Sequence, residues 1–224
     1  MDTIALALAI SFLIGSLPFG LWVARAVGGL DIRGHGSGNI GTTNVWRTLG
    51  PRAGALVFLL DALKGVIVVV IGASALPESE AAGLSIWREL LQAACGLSGI
   101  LGHIFSPLVG FKGGKGVATA LGVFMSLLPA QTLVALGAFL LTVALTRYIS
   151  LGSIVAASTL ALFTAGGVIL RDGDLASVEV LFTTTIAIVV LFTHRKNIRR
   201  LARGEERKFS LKRDVSSKND EAPR

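Results

Sequence analysis

Apolar runs dominate the chain, and their lengths are those that a bilayer sets. A membrane-crossing helix needs about 20 consecutive apolar residues. Residues 3–27, 52–76, 86–106, 149–170 and 178–194 each supply such a run. Gly15 and Pro18 lie inside the first run, and Pro77 closes the second. No small-residue cleavage signature follows the first, so it is expected to be a retained helix. The stretch 117–146 is too long for one ordinary span and short for two. Pro129 near its middle suits a break between two short helices, since proline ends one helix and opens the next. A single kinked segment is the other reading.

The polar positions decide between them. The chain holds 21 Lys and Arg, and all but Lys64, Arg88 and Arg171 fall in four places. These are residues 28–51 with the flanking Arg25 and Arg52, residues 107–116, Arg147, and the tail from Arg195. The opposite side holds Asp2, Glu78, Glu80, Glu89, Asp172, Asp174 and Glu179. Excess Lys and Arg mark the cytoplasmic side. Arg147 joins that side only if 117–146 crosses twice. The expectation is therefore an all-α polytopic membrane protein with seven transmembrane helices, N-terminus outside and C-terminus cytoplasmic. Residues 1–204 form one helical domain with cytoplasmic loops 31–50, 102–119 and 194–206. Residues 205–224 read as a basic, disordered tail.

Composition agrees with a membrane protein: 16% of residues are charged, against about 25% in soluble domains. The net charge of +7 sits in short loops and the tail, so it does not imply a nucleic-acid partner. Cys95 is the one cysteine, which excludes an internal disulfide and a cysteine metal site; it is expected to pack in a span. His35 and His103 stand isolated, and no spacing suggests a metal. Asp61 and Lys64 lie three apart inside the second run. Charges there are costly, so an internal pair or a link to a site is expected.

Three polar stretches carry the chemistry. The first runs Gly34-His35-Gly36-Ser37-Gly38-Asn39-Ile40-Gly41-Thr42-Thr43-Asn44-Val45-Trp46-Arg47. It offers a flexible backbone, hydrogen-bonding side chains and a forked cation suited to phosphate. A plain solvated loop would use similar residues. The second is Gly102-His103-Ile104-Phe105-Ser106-Pro107 followed by Gly110-Phe111-Lys112-Gly113-Gly114-Lys115-Gly116-Val117-Ala118-Thr119. A glycine loop with two lysines runs into a helix start, where free N–H groups, the helix dipole and ammonium groups are expected to converge on an anion. It fails the nucleotide-loop pattern: it is one residue short, and Gly116 stands where Ser or Thr would hold magnesium. Juxtamembrane lysines meeting lipid headgroups account for the lysines but not for the glycines. The third is His194-Arg195-Lys196-Asn197 continuing to Glu205-Glu206. If the last helix continues, His194 and Asn197 share a face.

These stretches, GSGNIGTTNVWR, GHIFSPLVGFKGGKGVAT and HRKNIRRLARGEE, resemble the three motifs of the bacterial acyl-phosphate:glycerol-3-phosphate acyltransferases. The resemblance extends from the first helix to about Glu206. It implies seven transmembrane helices in the bacterial inner membrane with the active site at the cytoplasmic surface. It implies transfer of a fatty acyl group from acyl-phosphate to the 1-hydroxyl of glycerol-3-phosphate, giving lysophosphatidic acid and phosphate, with no cofactor and no metal. It implies catalytic roles for Ser37, Arg47, Lys115, His194 and Asn197, and substrate or phosphate binding by Gly38, Asn39, Thr43, Asn44, Lys112, Gly113 and Gly114. Glu206 matches a supporting glutamate. Ile40 replaces a frequent proline, and Ser106-Pro107 shifts another; neither removes a polar group. The partners implied are the two substrates and membrane lipids, with the protein a monomer.

Two phosphate-bearing substrates need a cationic, glycine-lined site, and an activated anhydride needs no covalent nucleophile. Direct transfer is therefore expected. Positioning alone is worth ~7–11 kcal/mol. A transporter or lipid flippase with a phosphate-binding vestibule is the rival reading, but such sites lie near the bilayer midplane, and here the motifs gather at one surface.

Overall fold

A computed structural model of the chain describes residues 2–75, 85–171 and 173–210. Pro77, Glu78, Glu80 and Asp172, and the tail from 211 to 224, lie outside the described residues. Ten α-helices account for most of the rest: α1 (Asp2–Ser16), α2 (Phe19–Gly28), α3 (Thr42–Leu49), α4 (Pro51–Ser74), α5 (Ser85–Ile104), α6 (Val117–Leu127), α7 (Pro129–Thr146), α8 (Ile149–Ile169), α9 (Val178–Thr193) and α10 (Arg195–Ala202). Among the described residues, five helices are long and apolar enough to cross a membrane, or six if the bent pair α9–α10 counts as one span.

Local chemistry explains the breaks. Pro18 interrupts the first run, leaving α1 and α2 on either side of Leu17. Pro51 and Pro129 each sit in the first turn of a helix, where the missing N–H costs nothing. The stretch 117–146 is thus two helices joined at Leu128. The last apolar helix does not run on through His194. It stops at Thr193 and α10 leaves at 61°, so the expected shared helical face gives way to a corner.

Helix pairs α1–α5 and α4–α6 pack closely because glycines line both crossings. A Cβ on Gly15 would strike the Gly99 backbone, and one on Gly102 the Phe12 carbonyl. Across the second crossing a Cβ on Gly65 would strike the Thr119 carbonyl, and one on Gly122 the Ala62 carbonyl. In lipid, helix association relies on such close packing rather than on a hydrophobic drive. Val68, Ile100, Val123, Phe124 and Phe182 fill the centre, with the Phe124 and Phe182 rings 4.9 Å apart. A second cluster, including Leu21, Ala24, Val45 and Val57, supports the first polar loop. Large apolar residues such as Leu59, Leu140, Leu162 and Leu181 face outward, as a lipid-facing surface requires.

Gly122→Ala should lower the unfolding midpoint in detergent, equivalent to about 1–3 kcal/mol of overpacking. Gly137 has open space around its Cβ direction, so Gly137→Ala should be neutral or stabilising by up to ~1 kcal/mol. Equal effects of the two substitutions in thermal unfolding would contradict the packing account.

Candidate active site

The three polar stretches meet at one end of the bundle around a cavity of about 1140 Å³. The first loop is built on two left-handed glycines, Gly36 (φ 61°) and Gly38 (φ 71°), with Ser37 exposed between them. Asn44 holds this loop together. Its Oδ1 accepts the Ser37 N–H at 2.9 Å, and its Nδ2 donates to the carbonyls of His35 and Asn39 at 2.9 and 2.8 Å. Asn44 is 2% exposed and borders the cavity, and these bonds give it a role in shaping the loop. Asn39 reaches the second loop, its Nδ2 donating to the Gly113 carbonyl at 3.4 Å. Gly38, Thr43 and Arg47 line the cavity, and Arg47 also donates to the Arg207 carbonyl at 3.0 Å.

The second loop differs from expectation in an instructive way. The Gly113 N–H donates to the Ile104 carbonyl and the Gly114 N–H to the His103 carbonyl, both at 3.0 Å. These amides satisfy the open carbonyls at the end of α5, so they are not free for an anion. The glycines are required by close approach instead: a Cβ on Gly113 would strike the His103 carbonyl, and one on Gly114 the His103 ring at Nε2. The cationic offer falls to Lys115 and to the exposed Lys112, both of which border the cavity.

Lys115 links the second stretch to the third. Its Nζ donates to Asn197 Oδ1 at 2.6 Å. Asn197 Nδ2 donates in turn to Glu206 Oε1 at 2.6 Å. Glu206 also accepts from Ser150 Oγ and from Arg200 Nε, each at 2.7 Å. With a cation on one side and a carboxylate on the other, the Asn197 amide can take one orientation only. Burial pushes the Glu206 carboxyl up, but the bonds from Ser150, Asn197 and Arg200 outweigh it and hold it below the usual range. Burial drives the Lys115 ammonium down to about 8; Glu206 opposes this, while Arg200 and Arg47 add to it. His194, 2% exposed, sits at the corner between α9 and α10. Its Nδ1 lies 2.9 Å from the Val190 carbonyl, which can only accept, so the proton is on Nδ1 and the neutral ring keeps its lone pair on Nε2.

A family model for glycerol-3-phosphate acyltransferase matches residues 5–204. A glycerol-3-phosphate acyltransferase of Geobacter sulfurreducens is 47% identical over 201 residues, 90% of this chain and 95% of the relative. Another, of Desulforudis audaxviator, is 44% identical over 211 residues, 94% of this chain and 98% of the relative. The chain belongs to the glycerol-3-phosphate acyltransferase family. A solved structure of PlsY (YgiH), an integral membrane glycerol 3-phosphate acyltransferase in its glycerol 3-phosphate form, superposes with a TM-score of 0.78 at 36% identity, covering 92% of this chain and 96% of that one. The lysophosphatidic acid form of PlsY superposes with a TM-score of 0.76 at 35% identity, covering 93% and 96%. This glycerol-3-phosphate acyltransferase is accordingly a multi-pass α-helical membrane protein.

Two parts of the candidate site escape a reading of the sequence. Residues 205–210, expected to begin a disordered tail, pack as an extended strap. Phe209 lies against Trp46 with ring centroids 5.6 Å apart, its N–H donates to the Arg147 carbonyl at 2.6 Å, and its carbonyl accepts from Arg147 Nε at 3.3 Å. Arg207 and Phe209 thereby join the cavity wall. An aromatic within a basic tail was the available signal. The second is His103, which is not isolated. Its Nδ1 lies 2.9 Å from Lys64 Nζ, and Lys64 Nζ lies 2.8 Å from Asp61 Oδ1.

The ionisation of Lys115 yields a test. If its charge is needed, kcat/KM for glycerol-3-phosphate should be level below pH 8 and fall as pH rises through about 8, where the ammonium deprotonates. Glu206→Gln removes the charge that raises the Lys115 value, so the alkaline limb should move to lower pH. A limb near the ordinary lysine value in both proteins would contradict the burial account.

Proposed function

We propose that this acyltransferase takes acyl-phosphate as donor, transfers the acyl group directly to the 1-hydroxyl of glycerol-3-phosphate, and works as a monomer at the cytoplasmic face of the bacterial inner membrane. The observation that carries the reading is the composition of the cavity where the three stretches meet. Lys112, Lys115 and Arg47 line the same cavity as Phe58, Phe139 and Phe192. Cations suit two phosphate groups and the aromatic side suits an acyl chain. PlsY, solved with glycerol 3-phosphate and with lysophosphatidic acid, supports the acceptor and the product class.

In the reaction the acceptor oxygen forms a bond to the acyl carbon, the bond from that carbon to the donor phosphate breaks, and phosphate departs. Lys115 and Arg47 offset the charge gathering on phosphate and carbonyl oxygens. Ser37 supplies a hydrogen bond rather than a nucleophile: among the described residues no histidine hydrogen-bonds its hydroxyl, and mixed anhydrides react without covalent catalysis. The hydroxyl proton has two acceptors within this scheme, His194 Nε2 and the departing phosphate. Thr43, Gly38 and Asn39 line the acceptor side, and Glu206 holds Asn197.

The topology belongs to the same proposal. Counting α6 as a short crossing gives seven, with the N-terminus outside and the C-terminus inside. Eleven residues cover only about 16 Å at 1.5 Å per residue. A short α6 suits a glycine loop recessed below the membrane surface, where acyl donor and soluble acceptor can meet.

Purified protein given acyl-phosphate and glycerol-3-phosphate should release phosphate and form lysophosphatidic acid stoichiometrically, and acyl-CoA should not replace the donor. Turnover with acyl-CoA at a comparable rate would refute the donor assignment. For the topology, Cys95 is buried, so cysteines introduced at Ser177 and Ser210 can be read against a quiet background. Ser177→Cys should react with an impermeant reagent in intact cells and Ser210→Cys should not; the reverse pattern would invert the orientation.

A further inference from the structure

Beneath the second loop lies a polar cluster that the proposed chemistry does not use. Asp61 (2% exposed), Lys64 (1%) and His103 (6%) come from α4 and the last turn of α5. Lys64 Nζ is held three ways: 2.8 Å from Asp61 Oδ1, 2.9 Å from His103 Nδ1, and 3.0 Å from the Leu17 carbonyl at the break between α1 and α2. Two of these contacts are hydrogen bonds and the one to Asp61 is an ion pair; an ammonium has protons to donate and no lone pair. His103 Nδ1 must then accept, and the neutral ring carries its proton on Nε2. The ring has one tautomer and one orientation.

That orientation bears on the loop. The Nε2 edge stands where a Gly114 side chain would begin, and the backbone of the same histidine accepts the Gly114 N–H at 3.0 Å. Residue 114 is therefore held by His103 from its ring and from its carbonyl, and the next residue is Lys115. An apolar trio would hold α4 and α5 together at least as well, because buried ion pairs recover little net stability. What an apolar trio lacks is direction.

We propose that Asp61, Lys64 and His103 form a positioning cluster that sets, through Gly114, where the Lys115 ammonium stands in the phosphate site. The inference rests on the phosphate-binding role proposed for Lys115. The three residues touch no reacting atom in this scheme; they act by orienting one ring against one glycine. A displacement of the order of 1 Å at a binding group costs up to about 100-fold in rate, so a loosened ring is enough to register.

His103→Asn keeps an acceptor for Lys64 at the Nδ1 position but removes the ring edge that meets Gly114. It should lower kcat/KM for glycerol-3-phosphate about tenfold or more, with an unfolding midpoint within a few degrees of wild type. Asp61→Asn/Lys64→Met removes both charges together and should give the same pattern. The decisive comparison is Gly114→Ala alone against Gly114→Ala/His103→Asn. The alanine methyl collides with the ring in the first and finds vacated space in the second, so the double variant should regain activity over Gly114→Ala. A double variant no more active than Gly114→Ala would overturn the proposal, even if the charge variants fail to fold. So would unchanged kcat/KM in folded His103→Asn, or a loss of kcat/KM accompanied by a large fall in the unfolding midpoint. Absence of wild-type turnover would instead count against the activity proposed above, and separates the two failures.

Discussion

Lys115 brings an ammonium group into a partly buried position at the cavity wall, and much of the polar end of the bundle follows from holding it there. Unpaired burial of such a charge is costly enough that lysines usually shed their proton instead. Here Asn197 accepts from it and passes the polarity on to Glu206, which is itself fixed by Ser150 and Arg200. The result is a cation that keeps its charge near neutrality but is readily lost above about pH 8.

This chain of bonds also explains the shape of the surrounding backbone. Asn197 can reach Lys115 only because the last helix turns through 61° at His194. Glu206 can reach Asn197 only because α10 ends two turns later and the chain folds back. From there the strap continues to Phe209 on Trp46, joining the third stretch to the first. On the other side, Gly113 and Gly114 press against the end of α5, which fixes the residue before Lys115. A single charged side chain is thus held from its backbone by one helix end and from its tip by another.

Much of this is legible in the amino-acid pattern. The apolar runs locate the long helices, and Pro129 marks the break between α6 and α7. Residues 34–47, 110–119 and 194–206 stand out by type alone, because apolar spans have little use for Ser, Asn, Gly and His in such density. What the pattern hides is which of those groups meet. Asn44 also ties its own loop together, since a tight glycine turn must satisfy its amides somewhere. The Gly113 and Gly114 amides look free but are claimed by carbonyls of α5. His103 and Lys64 are 39 residues apart, and only the packing of α4 on α5 brings them into contact. Phe209 reads as part of a polar tail until Trp46 is known to lie opposite.

On the proposed function, this end of the bundle binds, aligns and neutralises charge, and no protein atom bonds to the acyl group. Mass spectrometry of wild-type enzyme quenched during turnover with acyl-phosphate and glycerol-3-phosphate tests this directly. Direct transfer leaves the chain unmodified at every time point. A stoichiometric, kinetically competent acyl adduct on Ser37 would contradict it and make the enzyme a two-step catalyst.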